Sequence, residues 1–154
     1  MASVNYETIF SLFLGSITDY KLASLEEEDA NTIMTEYLHK ALAASYLSHL
    51  FSSSALDDDN QTFTYTLAYA TANDETDFVC NAIAKWMVYE WVHNQVQSTT
   101  LTNQMIFSSK EKSFYSQANH LSELRALKDD LYKEARSFVM DRGWINNPYL
   151  NGGQ

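Results

Sequence analysis

From Ser109 to Arg142 the chain runs for 34 residues without a proline or a glycine. At 1.5 Å per residue a helix of that length reaches about 50 Å, which is long for a domain of this size. Its apolar residues follow a seven-residue period. Phe114, Leu121 and Ala135 share one position, with Lys128 as the polar exception; Leu124, Leu131 and Phe138 share the other, with Gln117 as the exception. Such spacing keeps an apolar seam turned toward one long partner. Arg125, Lys128, Asp129, Asp130, Lys133, Glu134 and Arg136 give the flanks both signs of charge. Gly143 is expected to end the helix. The tail WINNPYLNGGQ then carries Trp144, Ile145, Tyr149 and Leu150, whose apolar surface needs a place to bury.

The remaining segments read as helical with one exception. Asn5 to Ile17 is a short apolar helix. Ser24 opens the next, where SLEE spells a capping box, and that helix is expected to reach Phe51 with Ile33, Tyr37, Ala41 and Ala44 near one face. SSSALDDDNQ reads as a polar loop. In TFTYTLAYA, Phe63, Tyr65, Leu67 and Tyr69 alternate with smaller residues, the period of a half-buried strand. No second stretch alternates as well, so this strand is expected to pair with a segment near Thr99–Thr102 or with another subunit. Asp74 is a candidate cap for a helix from Glu75 to Gln97, apolar on nearly every side through Phe78, Val79, Ile83, Trp86, Met87, Val88, Trp91 and Val92. A looser stretch, STTLTNQMIFSS, follows. The fold class is therefore mainly α: a helical bundle with a long C-terminal helix, a strand or hairpin insertion around 62–70 and an extended tail. The expected division is a helical domain, 1–143, and a docking tail, 144–154.

Charge narrows the function. The net charge is −10, a poor match to duplex DNA, whose phosphates need Lys and Arg. Residues 1–80 hold 13 acids against Lys21 and Lys40, whereas residues 81–154 hold 7 acids against 8 bases. An acidic half of this kind is a solvated face, a surface that DNA passes without sticking, or one that meets a basic partner. Cys80 is the single cysteine, so no intrachain disulfide forms, and its apolar setting reads as a buried thiol suited to a reducing cytoplasm. No signal peptide and no membrane span are expected.

Two Glu-x-x-His units, Glu36–His39 and Glu90–His93, raise the chance of a dinuclear metal site of the ferritin-like kind, with Glu7 and Glu123 as further carboxylates. The order of units along the chain is wrong for that bundle, the first helix is too short, and Glu36 and His39 lie off the apolar face. Glu90 and His93 read instead as a hydrogen-bonded pair closing part of the core. His120 and Glu123, one turn apart, lack a nucleophile beside them. No phosphate loop, nucleophile elbow or zinc-type cysteine pair is present. No catalytic residue, cofactor or metal ligand is expected.

The stretch EWVHNQVQSTTLTNQMIFSSKEKSFYSQANHLSELRALKDDLYKEARSFV resembles neck proteins of long-tailed bacteriophages of Gram-positive hosts. The likeness rests on Trp86 to Asn94, Gln104 and the phrase Phe114 to Leu121, and the opening YETIFSLFLGSITDYKL is similar too. The resemblance implies a head–tail connector, or adaptor, at the virion neck, assembled in the host cytoplasm. Such subunits form a ring of about twelve copies beneath the portal. The ring extends the DNA channel without binding DNA specifically and offers a platform to the next neck or tail-terminator protein. A head-closure, or stopper, ring of the same neck is the neighbouring alternative, and a small helical-bundle metal protein the distant one. The residues expected at ring or portal contacts are Tyr65, Leu124, Leu131, Trp144, Ile145, Tyr149 and Leu150.

Overall fold

The computed structural model describes residues 1–17, 22, 24–69, 75–106 and 111–145. The elements in chain order are β1 (Ala2–Asn5), α1 (Tyr6–Gly15), α2 (Glu27–Leu42), a single turn α3 (Ser45–Ser48), β2 (Phe51–Asp57), β3 (Thr62–Leu67), α4 (Thr76–Ile106) and α5 (Glu111–Ile145). The protein is mainly helical, with a small antiparallel sheet, as its periodicities predict.

The helices bury apolar stripes, though on α2 the buried face is turned from the expected one: Tyr37 and Ala41 are buried, while Ile33 and Ala44 stay half-buried and Met34 and Leu38 take their place. Tyr6, Ile9, Phe10 and Phe13 are the buried residues of α1, and Met34, Tyr37, Leu38 and Ala41 those of α2. Both sets follow the i, i+3, i+4, i+7 rule for one helix face. Both helices pack against α4, which buries Val79, Ile83, Trp86, Met87, Val88, Val92 and Val96. On α5, Leu131, Tyr132, Ala135, Phe138 and Val139 join the core. The seam therefore finds its long partner within the same chain. Phe78 stacks on Phe138, with ring centroids 5.2 Å apart, and Lys85 pairs with Glu134. These contacts run α5 antiparallel to α4.

The sheet corrects three expectations. First, β3 is its central strand, in the order β1-β3-β2, and is paired on both sides within one chain. Neither another subunit nor the Thr99–Thr102 segment, which is helical, supplies its partner. Second, the polar run read as a loop is mostly β2. Its serines face outward on an edge strand, where polar residues discourage further pairing. A bulge between Phe51 and Ser53 turns Phe51 to the same face as Leu56, against Phe63 and Tyr65 at 5.5 and 5.6 Å. The Ser52 hydroxyl at the bulge donates to the Thr66 carbonyl. Third, β1 was hidden in what reads as the lead-in to α1, because four residues are too few to display a period.

Helix ends also differ from expectation. Glu26, not Ser24, is the N-cap of α2, without a side-chain capping bond. Glu27, Glu28 and Asp29 in the first turn favour the positive helix end instead. Helix α2 stops at Leu42, and the chain makes the separate turn α3 before Phe51 enters the sheet. Helix α4 continues through the Ser–Thr-rich stretch to Ile106, and α5 passes through Gly143 to Ile145. A glycine costs a helix interior about 1 kcal/mol relative to alanine, a penalty that does not oblige it to stop. The expected helix end at Gly143 thus moves to Ile145. The candidate cap Asp74 lies outside the described residues.

Candidate functional site

The β2–β3 turn is built from an aspartate run. Asp57 accepts from the Asn60 backbone N–H at 3.0 Å and from its side-chain amide at 2.8 Å. Gln61 then adopts a φ of 51°, the left-handed turn that closes the loop. Its carbonyl accepts from the Tyr6 N–H at 2.9 Å, tying the turn to the start of α1. A second tie is made by side chains. The Tyr6 hydroxyl donates to Asp58 Oδ1 at 2.6 Å, and His39 Nε2 of α2 lies 3.1 Å from both Asp58 oxygens. One carboxylate thus joins α1, α2 and the hairpin.

Electrostatics define what this link does. The Tyr6 hydroxyl is pushed far above the usual phenol range, first by burial and then by its bond to the Asp58 carboxylate. Asp58 is held below its ordinary value of 3.8, chiefly by the Tyr6 hydroxyl and then by His39. Tyr6 remains a proton donor and Asp58 a charged acceptor throughout the neutral range, so neither is poised to move a proton there. Because the folded pKa of Asp58 lies below the unfolded one, its contribution is present above pH 3.8 and is lost as pH falls through the lower, folded value. Replacing Tyr6 by phenylalanine is expected to cost about 1 kcal/mol at neutral pH and to make the loss of stability in acid less steep. Urea unfolding at neutral and acid pH checks both; an unchanged acid limb would show that the link carries no stability.

An open cleft of about 910 Å³ lies beside the link. Residues Glu27, Glu28, Glu36, His39 and Lys40 of α2 line one side, and Asp58 and Gln61 of the turn line the other. Three of these carboxylates, Glu27, Glu28 and Glu36, form no ion pair with a described residue. Lys40, at the far end, lies over the Tyr37 ring at 5.4 Å.

The sequence motifs fall apart in three dimensions. His39 of the first Glu-x-x-His unit engages Asp58 instead of its own glutamate. In the second unit His93 stacks on Tyr89 and meets the Gln97 amide at 3.1 Å; no bond joins it to Glu90, contrary to expectation. Among the described residues no group of three or more His, Cys, Asp or Glu side chains converges in a way that could hold a metal ion. Glu7 and Glu123 are exposed. Cys80 is buried.

The residues expected at assembly contacts separate into three groups. Tyr65 is 2 % exposed and its hydroxyl donates to Thr76 Oγ1 at 3.2 Å, so it belongs to the core and not to an outer surface. A side chain buried in the core cluster has no route to a partner. Leu124 and Leu131 are half-buried on the seam, and Leu131 packs on the core. Trp144 and Ile145 fall in the last turn of α5, while Tyr149 and Leu150 lie outside the described residues. The Tyr6–Asp58–His39 link escaped sequence reasoning. Its one sequence signal was a tyrosine in a helix stripe otherwise made of Ile and Phe, since a buried hydroxyl needs a partner.

The fold and cleft define a mainly helical protein with a three-stranded antiparallel sheet and an acidic surface groove. No protein-family model, curated protein or solved structure matches the chain. Among the described residues no helix is long and apolar enough to cross a membrane.

Proposed function

We propose that the chain is a head–tail connector subunit of a tailed bacteriophage, forming a ring beneath the portal. The observation that carries this reading is the pair of long helices. Helices α4 and α5 contain 31 and 35 residues, about 46 and 52 Å of helix. Among the described residues, the core cluster and its packed neighbours use α4 from Phe78 to Trp91 and α5 from Leu131 to Val139. Val92 and Val96 of α4 are buried as well, and the helices themselves run on, α4 to Ile106 and α5 back to Glu111. An arm of this kind is suited to packing against neighbouring copies. Exposed Leu127 and Met140 add apolar surface to α5. The acidic half of the chain suits a channel that lets DNA slide past. The neck-protein phrase Phe114 to Leu121 lies on the arm.

The reading makes the tail the docking element toward the portal. Deleting residues 146–154, which leaves α5 whole, is expected to preserve the helical spectrum and melting temperature but abolish capture by the portal ring. Native mass spectrometry of the chain mixed with portal protein measures this. Normal capture by the shortened chain would remove the tail from the docking role. Failure of the full chain to bind portal would overturn the connector reading.

A further inference from the structure

We infer that the outer face of α5 docks into the acidic cleft of a second copy of this chain. Arg125, Lys133 and Arg136 recur at i, i+8 and i+11 and are all exposed. That spacing sets them on one face of the helix, off the buried seam. Arg125 has no ion pair with a described residue, Arg136 donates from Nε to Met140 Sδ at 3.4 Å while keeping its charge, and Lys133 reaches Asp130 only at 4.0 Å with both side chains largely in water. Such an exposed pair holds its partners loosely. Asp129 on the same face is met by Lys128 at 3.6 Å, which offsets its charge. The face is thus positive on a chain whose net charge is −10.

The cleft is its complement in sign and in length. Glu27, Glu28 and Glu36 form no ion pair with a described residue, Asp58 closes the opposite wall, and these four carboxylates outnumber the Lys40 cation in the lining. From Glu27 to Lys40 the α2 wall extends about 20 Å, and Arg125 to Arg136 spans about 17 Å. Donor face and cleft lie on different elements of one subunit, so each copy offers one of each. The contact is head-to-tail, the type that closes into rings or extends into filaments. It deepens the connector reading and rests on it for the expectation that copies associate.

Reversing charge tests the contact. Light scattering and sedimentation of the full chain, over a range of concentration and salt, read self-association. The wild type is expected to associate, and less so at high salt. Changing Arg125, Lys133 and Arg136 together to glutamate, or Glu27, Glu28 and Glu36 together to lysine, is expected to weaken association about a hundredfold. Circular dichroism confirms that each variant is folded. Combining all six changes restores opposite signs and is expected to recover association. A wild type that stays monomeric, association untouched by either triple change, or no recovery in the sixfold variant would overturn the docking. Rings that bind portal yet ignore the reversals would leave the connector reading standing without this contact. Salt-sensitive, reversal-sensitive association without portal binding would do the opposite.

Discussion

Thr64→Pro is expected to destabilise the folded subunit by about 2–4 kcal/mol. Thr64 sits at the middle of the central strand, opposite Ser3 of β1 and Ala55 of β2. Proline removes the backbone donor there, strands its acceptor and forces its ring into a ladder closed on both sides. The hairpin and the start of α1 depend on that ladder through the bond from Tyr6 to the Gln61 carbonyl. Against a total stability of roughly 5–15 kcal/mol, the loss is large. Thr64→Val keeps both the ladder and the branched side chain and is expected to stay within about 0.5 kcal/mol of wild type. Urea unfolding of the two variants makes the comparison. A Thr64→Pro protein with wild-type stability would mean that β3 is not clamped within its own subunit.

Trp86→Ala is expected to cost about 3–5 kcal/mol. Trp86 is 2 % exposed on α4. It meets Tyr89 and Tyr132 edge-on at 5.6 and 5.5 Å, and Tyr89 and Tyr132 approach each other at 5.5 Å. Removing the indole leaves a cavity at the contact that holds α5 to α4, and two edge-to-face pairs go with it. Near-ultraviolet circular dichroism should lose intensity along with stability, because the remaining tyrosines no longer have a fixed environment. A cost under about 1 kcal/mol would show that the site collapses without penalty, and that α5 is held chiefly by Phe78 with Phe138 and by Lys85 with Glu134.

The candidate site was less legible than the fold. Glu27, Glu28 and Glu36 were visible as an acidic helix start and surface. Nothing local says that a turn from residues 57–61 rises beside them. Asp58 is 52 residues from Tyr6 and 19 from His39, so their meeting depends on how α1, α2 and the hairpin are packed. The Glu-x-x-His units had the reverse fate. Their spacing is local and easily seen, but His39 and His93 turned to other partners, because a three-residue interval fixes only a helix face and not what stands opposite it.

Two helix faces were determined by the sequence alone. The all-round apolar character of α4 and the α5 seam through Leu131, Ala135 and Phe138 repeat over enough turns for burial to follow from period, whereas on α2 packing turned the buried face from Ile33 to Met34 and Leu38. Burial also followed from period in β3, where Phe63 and Tyr65 are buried between less buried threonines. The tertiary structure decided the rest. Strand β1 is four residues long and β2 is largely serine, and neither displays a pattern strong enough to claim a conformation by itself. They are strands because β3 offers them backbone donors and acceptors that would otherwise be left unpaired. The Ser–Thr run at 98–100, weak in helix propensity, is helical for a related reason. A local preference of a few tenths of a kcal/mol per residue yields when extending a long, packed helix satisfies the next backbone group.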